Sequence, residues 1–250
     1  TTDGHQTTSG GSDFFDMYKE AFLVKFDSNG QILWGTFYGG AADDFGRDLA
    51  IDMQNNVYMT GMTESTNNIA TLGSYQDTLN GTYDAFLVKF NTNGVRQWGT
   101  YFGGINSDKS MDLGIDGQGD IYIAGYTSSD ELPTSYGYQP DYGGGSDDGL
   151  LVKFNNNGEL LWATYYGGSE YDVAAALALD INGNVYLSGG TQSFNNISTP
   201  NGHQPDYGGG SDDAFLVKFA PASVIIISPN SCKNFQYTYN IANAPSGTYN

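Results

Sequence analysis

Positive charge is scarce in this chain. Lysine and arginine together number 9 against 28 aspartates and glutamates, giving a net charge of −19. Binding to nucleic acid relies on clustered basic residues that neutralise phosphates, so that partner class is disfavoured. An anionic membrane surface is disfavoured for the same reason. There is one cysteine, Cys232, which leaves no internal disulfide framework. No run reaches the ~20 apolar residues of a membrane-spanning helix. Helical periodicity is weak throughout, and the AAALAL run after Val173 is too short to argue for a helix.

Glycine (35), tyrosine (19) and a hydrophobic content of 39% are what the chain has in quantity. That profile suits many short strands joined by tight turns, with enough apolar surface for a packed core. The strands repeat. EAFLVKF (Glu20–Phe26) returns as DAFLVKF (Asp84–Phe90), DGLLVKF (Asp148–Phe154) and DAFLVKF (Asp213–Phe219). Trp34, Trp98 and Trp162 share a 64-residue spacing, as do Gly39–Gly40, Gly103–Gly104 and Gly167–Gly168, and Asp52, Asp116 and Asp180. DSNG, NTNG and NNNG follow the first three copies of the LVKF strand, and Asn-Gly supplies the positive φ of a tight hairpin. DMQNN, DGQGD and DINGN separate the other strand pair, with an aspartate placed to bond the turn backbone.

Four antiparallel strands per unit without helices predict an all-β fold of β-propeller blades. The 64-residue period is longer than the ~40–50 of familiar propeller repeats, and a Gly-, Ser-, Thr-, Asn- and Tyr-rich loop between the second and third strands accounts for the excess. The strands place a partial blade at Ala21–Tyr38, full blades at about Arg47–Phe102 and Ser110–Tyr166, and a last blade from about Asp172. That last blade is complete only if VIII (Val224–Ile227) supplies a fourth strand. Closed propellers commonly need about four to eight blades, so residues 1–228 are expected to form an arc of a larger propeller. Residues 229–250 are expected to be a tail or the start of a further domain.

The combination of AFLVKF, NG-x-x-x-W-x-T-x-[YF]-GG and D-x-x-[GN]-[ND]-[VI]-Y, in order and at fixed spacing over about Thr1–Phe219, resembles the bacterial β-propeller repeat abbreviated SBBP. The resemblance implies a secreted or cell-surface bacterial protein, often multidomain, in a family without established catalytic residues. It implies no particular ligand.

Each residue that invites a functional reading has a structural one beside it. Lys25, Lys89, Lys153 and Lys218 interrupt apolar strands at one place per repeat, and catalytic groups are usually unique. They are read as structural, with aliphatic stems packed between blades and ammonium groups paired to carboxylates of the Asp44, Asp108 and Asp172 series or the Asp52 series. Trp34, Trp98 and Trp162 are read as packing between blades. Asp44, Asp108 and Asp172 are also the preferred candidates should the chain bind calcium, although no EF-hand pattern is present. His5 and His203 occupy the place that Tyr75 and Tyr138 hold elsewhere, each before a glutamine, which argues against a metal ligand or general base.

No cofactor and no enzymatic activity are expected from these residues. The strands repeat closely while the loops drift, and loops on a rigid scaffold commonly carry binding. The expected function is a non-catalytic secreted or surface recognition module that binds protein or carbohydrate through its long loops, with Tyr136, Tyr138, Tyr142 and Tyr207 as the candidate contacts. The alternative is the scaffold portion of a secreted carbohydrate-active enzyme with its catalytic residues elsewhere. Further blades from the rest of the chain are expected as structural partners, and neither nucleic acid nor membrane insertion is expected.

Overall fold

The computed structural model describes residues 5–10, 18–134 and 136–220. Cys232, the Val224–Ile227 segment and the 229–250 tail lie outside the described residues. Thirteen strands and no helix are present among the described residues: β1 (Ala21–Phe26), β2 (Ile32–Tyr38), β3 (Asp44–Ile51), β4 (Val57–Thr63), β5 (Asp84–Phe90), β6 (Arg96–Phe102), β7 (Asp108–Ile115), β8 (Ile121–Thr127), β9 (Asp148–Phe154), β10 (Leu160–Tyr166), β11 (Asp172–Leu179), β12 (Val185–Thr191) and β13 (Asp213–Phe219). They form four antiparallel sheets in chain order: β1-β2, β3-β4-β5-β6, β7-β8-β9-β10 and β11-β12-β13. These are two full blades between two partial ones, as the strand patterns predict.

The turns form for the reason their residues suggest. Asp27, Asn91 and Asn155 each accept, through Oδ1, the backbone N–H groups two and four positions ahead. Gly30, Gly94 and Gly158 then take φ between 77° and 81°. Asp52, Asp116 and Asp180 bond the other hairpins in the same way.

Alternation explains why the third strand is apolar throughout. On β5, Phe86, Val88 and Phe90 pack with Tyr38, Ala21 and Leu23 of the preceding blade. Ala85 and Leu87 point the other way, into a cluster with Leu113 and Ile123 of the following blade. Both faces are therefore core, and every second residue serves a different neighbour. The ends of the arc show the converse. Phe22 is 68% exposed and Leu216 is 75% exposed, whereas their counterparts Phe86 and Leu87 are fully buried.

Neighbouring blades meet along the first strand of the later blade, with β7 against β3 and β4, and β11 against β7 and β8. A bulge interrupts each of these strands after Gly46, Ser110 or Ala174. Beyond it, the Leu113 N–H donates to Asp48 Oδ2 of the blade before at 2.9 Å, and the Leu177 N–H donates to Asp112 Oδ2 at 2.6 Å. A hydroxyl pair adds to the same boundary: Thr60 Oγ1 and Ser110 Oγ are 2.8 Å apart, and Ser110 donates to the Gly61 carbonyl.

Candidate recognition surface

The repeated lysines lie between two aromatic residues. Lys89 pairs across the sheet with Tyr58 on one side and Trp98 on the other, and Lys153 likewise pairs with Tyr122 and Trp162. Each ammonium group lies over the tyrosine ring, at 5.0 Å for Lys89 and Tyr58 and 4.8 Å for Lys153 and Tyr122. The expected carboxylate partner exists for Lys153, whose Nζ is 2.8 Å from Asp120 and 3.4 Å from Asp116. Burial opposes the charge of Lys153, but its hydrogen bonds to Asp120 and Tyr122 outweigh burial and raise its pKa. For Lys25 and Lys89 the expectation needs correction. Their Nζ atoms donate to the Thr92 and Asn156 carbonyls of the next blade's hairpin turn, and the same carbonyls accept the indole N–H of Trp34 and Trp98. A lysine and a tryptophan thus share one turn oxygen. Lys218, at the end of the arc, lies over Tyr186.

The Asp44, Asp108 and Asp172 series is not the lysine partner either. Asp44 accepts from Gly40 N, Ser65 Oγ and Thr63 Oγ1, and Asp108 accepts from Gly104 N, Ser129 Oγ and Thr127 Oγ1. Asp172 accepts from Gly168 N and Ser193 Oγ. These aspartates tie the Gly-Gly bend between blades to the loop that follows the second strand. Burial without a cation pushes Asp44 and Asp108 up to about 6 despite those donors.

The glutamine after each repeated aromatic residue has a structural task that the sequence pattern alone did not reveal. Gln76 exchanges main-chain and hydroxyl hydrogen bonds with Thr100 and accepts the Tyr101 N–H on its carbonyl. Its side chain donates to Asp84 Oδ2 at 2.7 Å and accepts from the Gly103 N–H at 3.0 Å. Gln139 repeats the arrangement with Thr164, Tyr165, Asp148 and Gly167. The aromatic residue before it is a plug between blades: His5 packs on Tyr38 and Phe90, Tyr75 on Phe102 and Phe154, and Tyr138 on Tyr166 and Phe219.

Three of the four candidate tyrosines meet at one place. Tyr136, Tyr138 and Tyr207 line a groove of about 1080 Å³ at the open end of the arc, alongside β13, the edge strand of the last described blade, together with Phe194, His203 and Trp162. Tyr136 is 89% exposed and Phe194 78% exposed, with the Phe194 and Tyr207 rings 4.6 Å apart. Tyr138 contributes to the wall while serving as the plug. Tyr142 lies outside the groove, edge-on to Tyr165, with its hydroxyl donating to the Gly145 carbonyl. Lys153 and Lys218 also border the groove, as do Asp206 and Asp213, so its charges are balanced. Phe194 was not singled out from the sequence. Its signal was an isolated large apolar residue in a polar loop.

Among the described residues, no three His, Cys, Asp or Glu side chains gather as a metal cluster, and no helix is long and apolar enough to cross a membrane. A family model described as a beta-propeller repeat, SBBP, matches residues 33–69, 97–133 and 161–198. Each match begins in the last strand of one sheet and runs past the second strand of the next. The chain is also similar to the regulatory protein FlaEY of Caulobacter vibrioides, with 26% identity over 176 residues, covering 68% of this chain and 18% of that protein. An uncharacterized WD repeat-containing protein of Acanthamoeba polyphaga mimivirus is 24% identical over 200 residues, covering 68% of this chain and 14% of that protein. The chain therefore spans less than a fifth of either relative's length.

Proposed function

Because the chain is built from repeats of the SBBP beta-propeller family, we propose that this repeat scaffold serves as a recognition module of a secreted or cell-surface protein, binding protein or carbohydrate through its long loops. The observation that carries the reading is where exposed aromatic side chains collect. Tyr136, Phe194 and Tyr207, on loops between second and third strands, surround one groove beside the edge strand β13. Tyrosine with neighbouring glycine and serine gives large contact area at low entropic cost, and aromatic faces with polar neighbours suit sugar rings or peptide segments. The acidic surface elsewhere, with a net charge of −19, opposes polyanions.

The test replaces the loop residues Tyr136, Phe194 and Tyr207 with alanine, then screens parent and variant chains on glycan and protein arrays. Binding that disappears while the melting temperature holds supports the loops as the recognition surface. Unchanged binding at unchanged stability removes them from that role.

A further inference from the structure

The glutamine of the repeat is met by a strand in three copies and not in the fourth. Gln6, Gln76 and Gln139 each lie beside the last strand of a sheet, β2, β6 or β10. The glutamine N–H donates to a threonine hydroxyl, at 2.7 Å to Thr36, 3.0 Å to Thr100 and 2.8 Å to Thr164. The residue after the threonine, Phe37, Tyr101 or Tyr165, donates its N–H to the glutamine carbonyl. Gly103 and Gly167 donate to Oε1 of Gln76 and Gln139. The hydroxyls of Tyr101 and Tyr165 donate to the Ser65 and Ser129 carbonyls at 2.7 and 2.8 Å. One loop thereby reads the run threonine, aromatic, aromatic, glycine.

Gln204 is the fourth member, and its loop is already set. Its side-chain amide donates to Asp213 and to the Asp206 carbonyl, as that of Gln139 does to Asp148 and to the Asp141 carbonyl. Its N–H, its carbonyl and its Oε1 make no hydrogen bond among the described residues. β13 beside it is paired on one side alone, with β12. Tyr142 packs edge-on to Tyr165, whereas its counterpart Tyr207 turns to Phe194. Gln204, Ser193, Tyr207 and β13 all border the groove.

The sequence that follows β13 does not carry the run this loop reads. In the register of β5 and β6, Val224–Ile227 match Val95–Trp98, and Pro229 and Asn230 then fall at Thr100 and Tyr101. Proline has neither a hydroxyl for the Gln204 N–H nor an N–H of its own.

We propose that β13 and the Gln204 loop take up an extended segment of a partner protein as a fourth, antiparallel strand. The proposal rests on the recognition reading above and narrows its ligand to a peptide. An open sheet edge offers main-chain hydrogen bonds to an added strand, and pockets for its side chains give selectivity. Seated as β6 and β10 are, the partner places a threonine against the Gln204 N–H and carbonyl. The next residue, a tyrosine, sets its ring against Tyr207 and its hydroxyl at the Ser193 carbonyl. A glycine two residues later donates to Gln204 Oε1. Lys153 and Lys218 are balanced by Asp206 and Asp213 around the groove, which suits an uncharged segment of this kind.

The probe is a fluorescein-labelled peptide with the sequence of Leu160–Gly168, titrated with the 250-residue chain and followed by anisotropy. Saturable binding is expected, with amide exchange along β13 slowed at least tenfold at saturation. Affinity should fall at least tenfold when the peptide's threonine is valine, and likewise when the chain carries Gln204→Leu. Gln204 is exposed, so the melting temperature of that variant should hold; should it fail to fold, the valine peptide decides. No saturable binding, equal affinity for a scrambled peptide, or binding that leaves β13 unprotected overturns the proposal. The array screen separates the two readings. Ligands lost by the Tyr136, Phe194 and Tyr207 variants, with this peptide unbound, would overturn the added strand and leave the recognition surface standing.

Discussion

Trp98 and Gly158 meet face to face across a blade boundary. The indole N–H donates to the Asn156 carbonyl, and a Cβ on Gly158 would come within 3.0 Å of the ring. Trp34 and Gly94 repeat the relationship one blade earlier. The glycine of the Asn-Gly turn therefore answers two demands, positive φ for the hairpin and closeness for the neighbour's tryptophan.

These two demands can be separated by mutation. Gly30 has φ 77° and nothing within 4 Å of a built Cβ, whereas Gly158 has φ 81° and the indole against it. Gly30→Ala is expected to cost only the left-handed backbone term, about 1–2 kcal/mol. Gly158→Ala adds displacement of Trp98 and is expected to cost at least about 1 kcal/mol more. Urea denaturation of the two variants measures the difference, and equal losses would remove the packing role of the turn.

The lysines should respond unequally to the same change. Lys153→Met removes the counter-charge of Asp116, whose side chain is only 4% exposed, and is expected to cost about 3 kcal/mol. Lys89→Met loses a hydrogen bond to a turn carbonyl and a contact over Tyr58, about 1–2 kcal/mol together. Adding Asp116→Asn should rescue part of the Lys153→Met loss. A double-mutant cycle reads the coupling directly.

Gln76→Leu is expected to cost about 2–3 kcal/mol, because it leaves the Gly103 N–H unmatched and removes a donor from buried Asp84. Faster amide exchange at Gly103 would locate the effect. A loss below about 0.5 kcal/mol would show that the loop holds its place without this residue.

Acidification should stabilise the chain. Asp44 and Asp108, pushed up to about 6 by burial, take up protons more readily folded than unfolded, where the ordinary aspartate value is about 4. Stability contributed by that protonation is present below about pH 4 and is lost as pH rises through about 6. The melting temperature should therefore be higher at pH 5 than at pH 8. Asp108→Asn, which cannot ionise, should narrow the difference.

The repeat, the strands and their turns were legible because period, alternation and Asn-Gly chemistry are local properties. The lysine partners were less so. Lys153 meets Asp116 and Asp120 in its own blade, but Lys89 turns to Asn156 O, a backbone atom 67 positions away that no side-chain pattern announces. The aromatic-Gln pair was visible as a repeat, yet the task of Gln76 depends on a loop folding back beside Thr100, which is a tertiary event. The Asp44 series was noticed as acidic. Its hydroxyl partners lie 19 and 21 residues further on, across a strand pair.

The hydrogen bonds from Leu113 to Asp48 and from Leu177 to Asp112 give the arc a fixed order of units. In each, a later repeat donates an amide to a carboxylate on the repeat before it. The matching position in the last described blade is Ala176, which has no carboxylate to receive a successor. A chain grown by copying one segment would tolerate exchange of its segments only while every junction stayed equivalent. Here, exchanging the second and third repeats would place Ala176 where Asp112 now receives an amide, so the units are distinguishable and their sequence along the chain is itself under structural constraint.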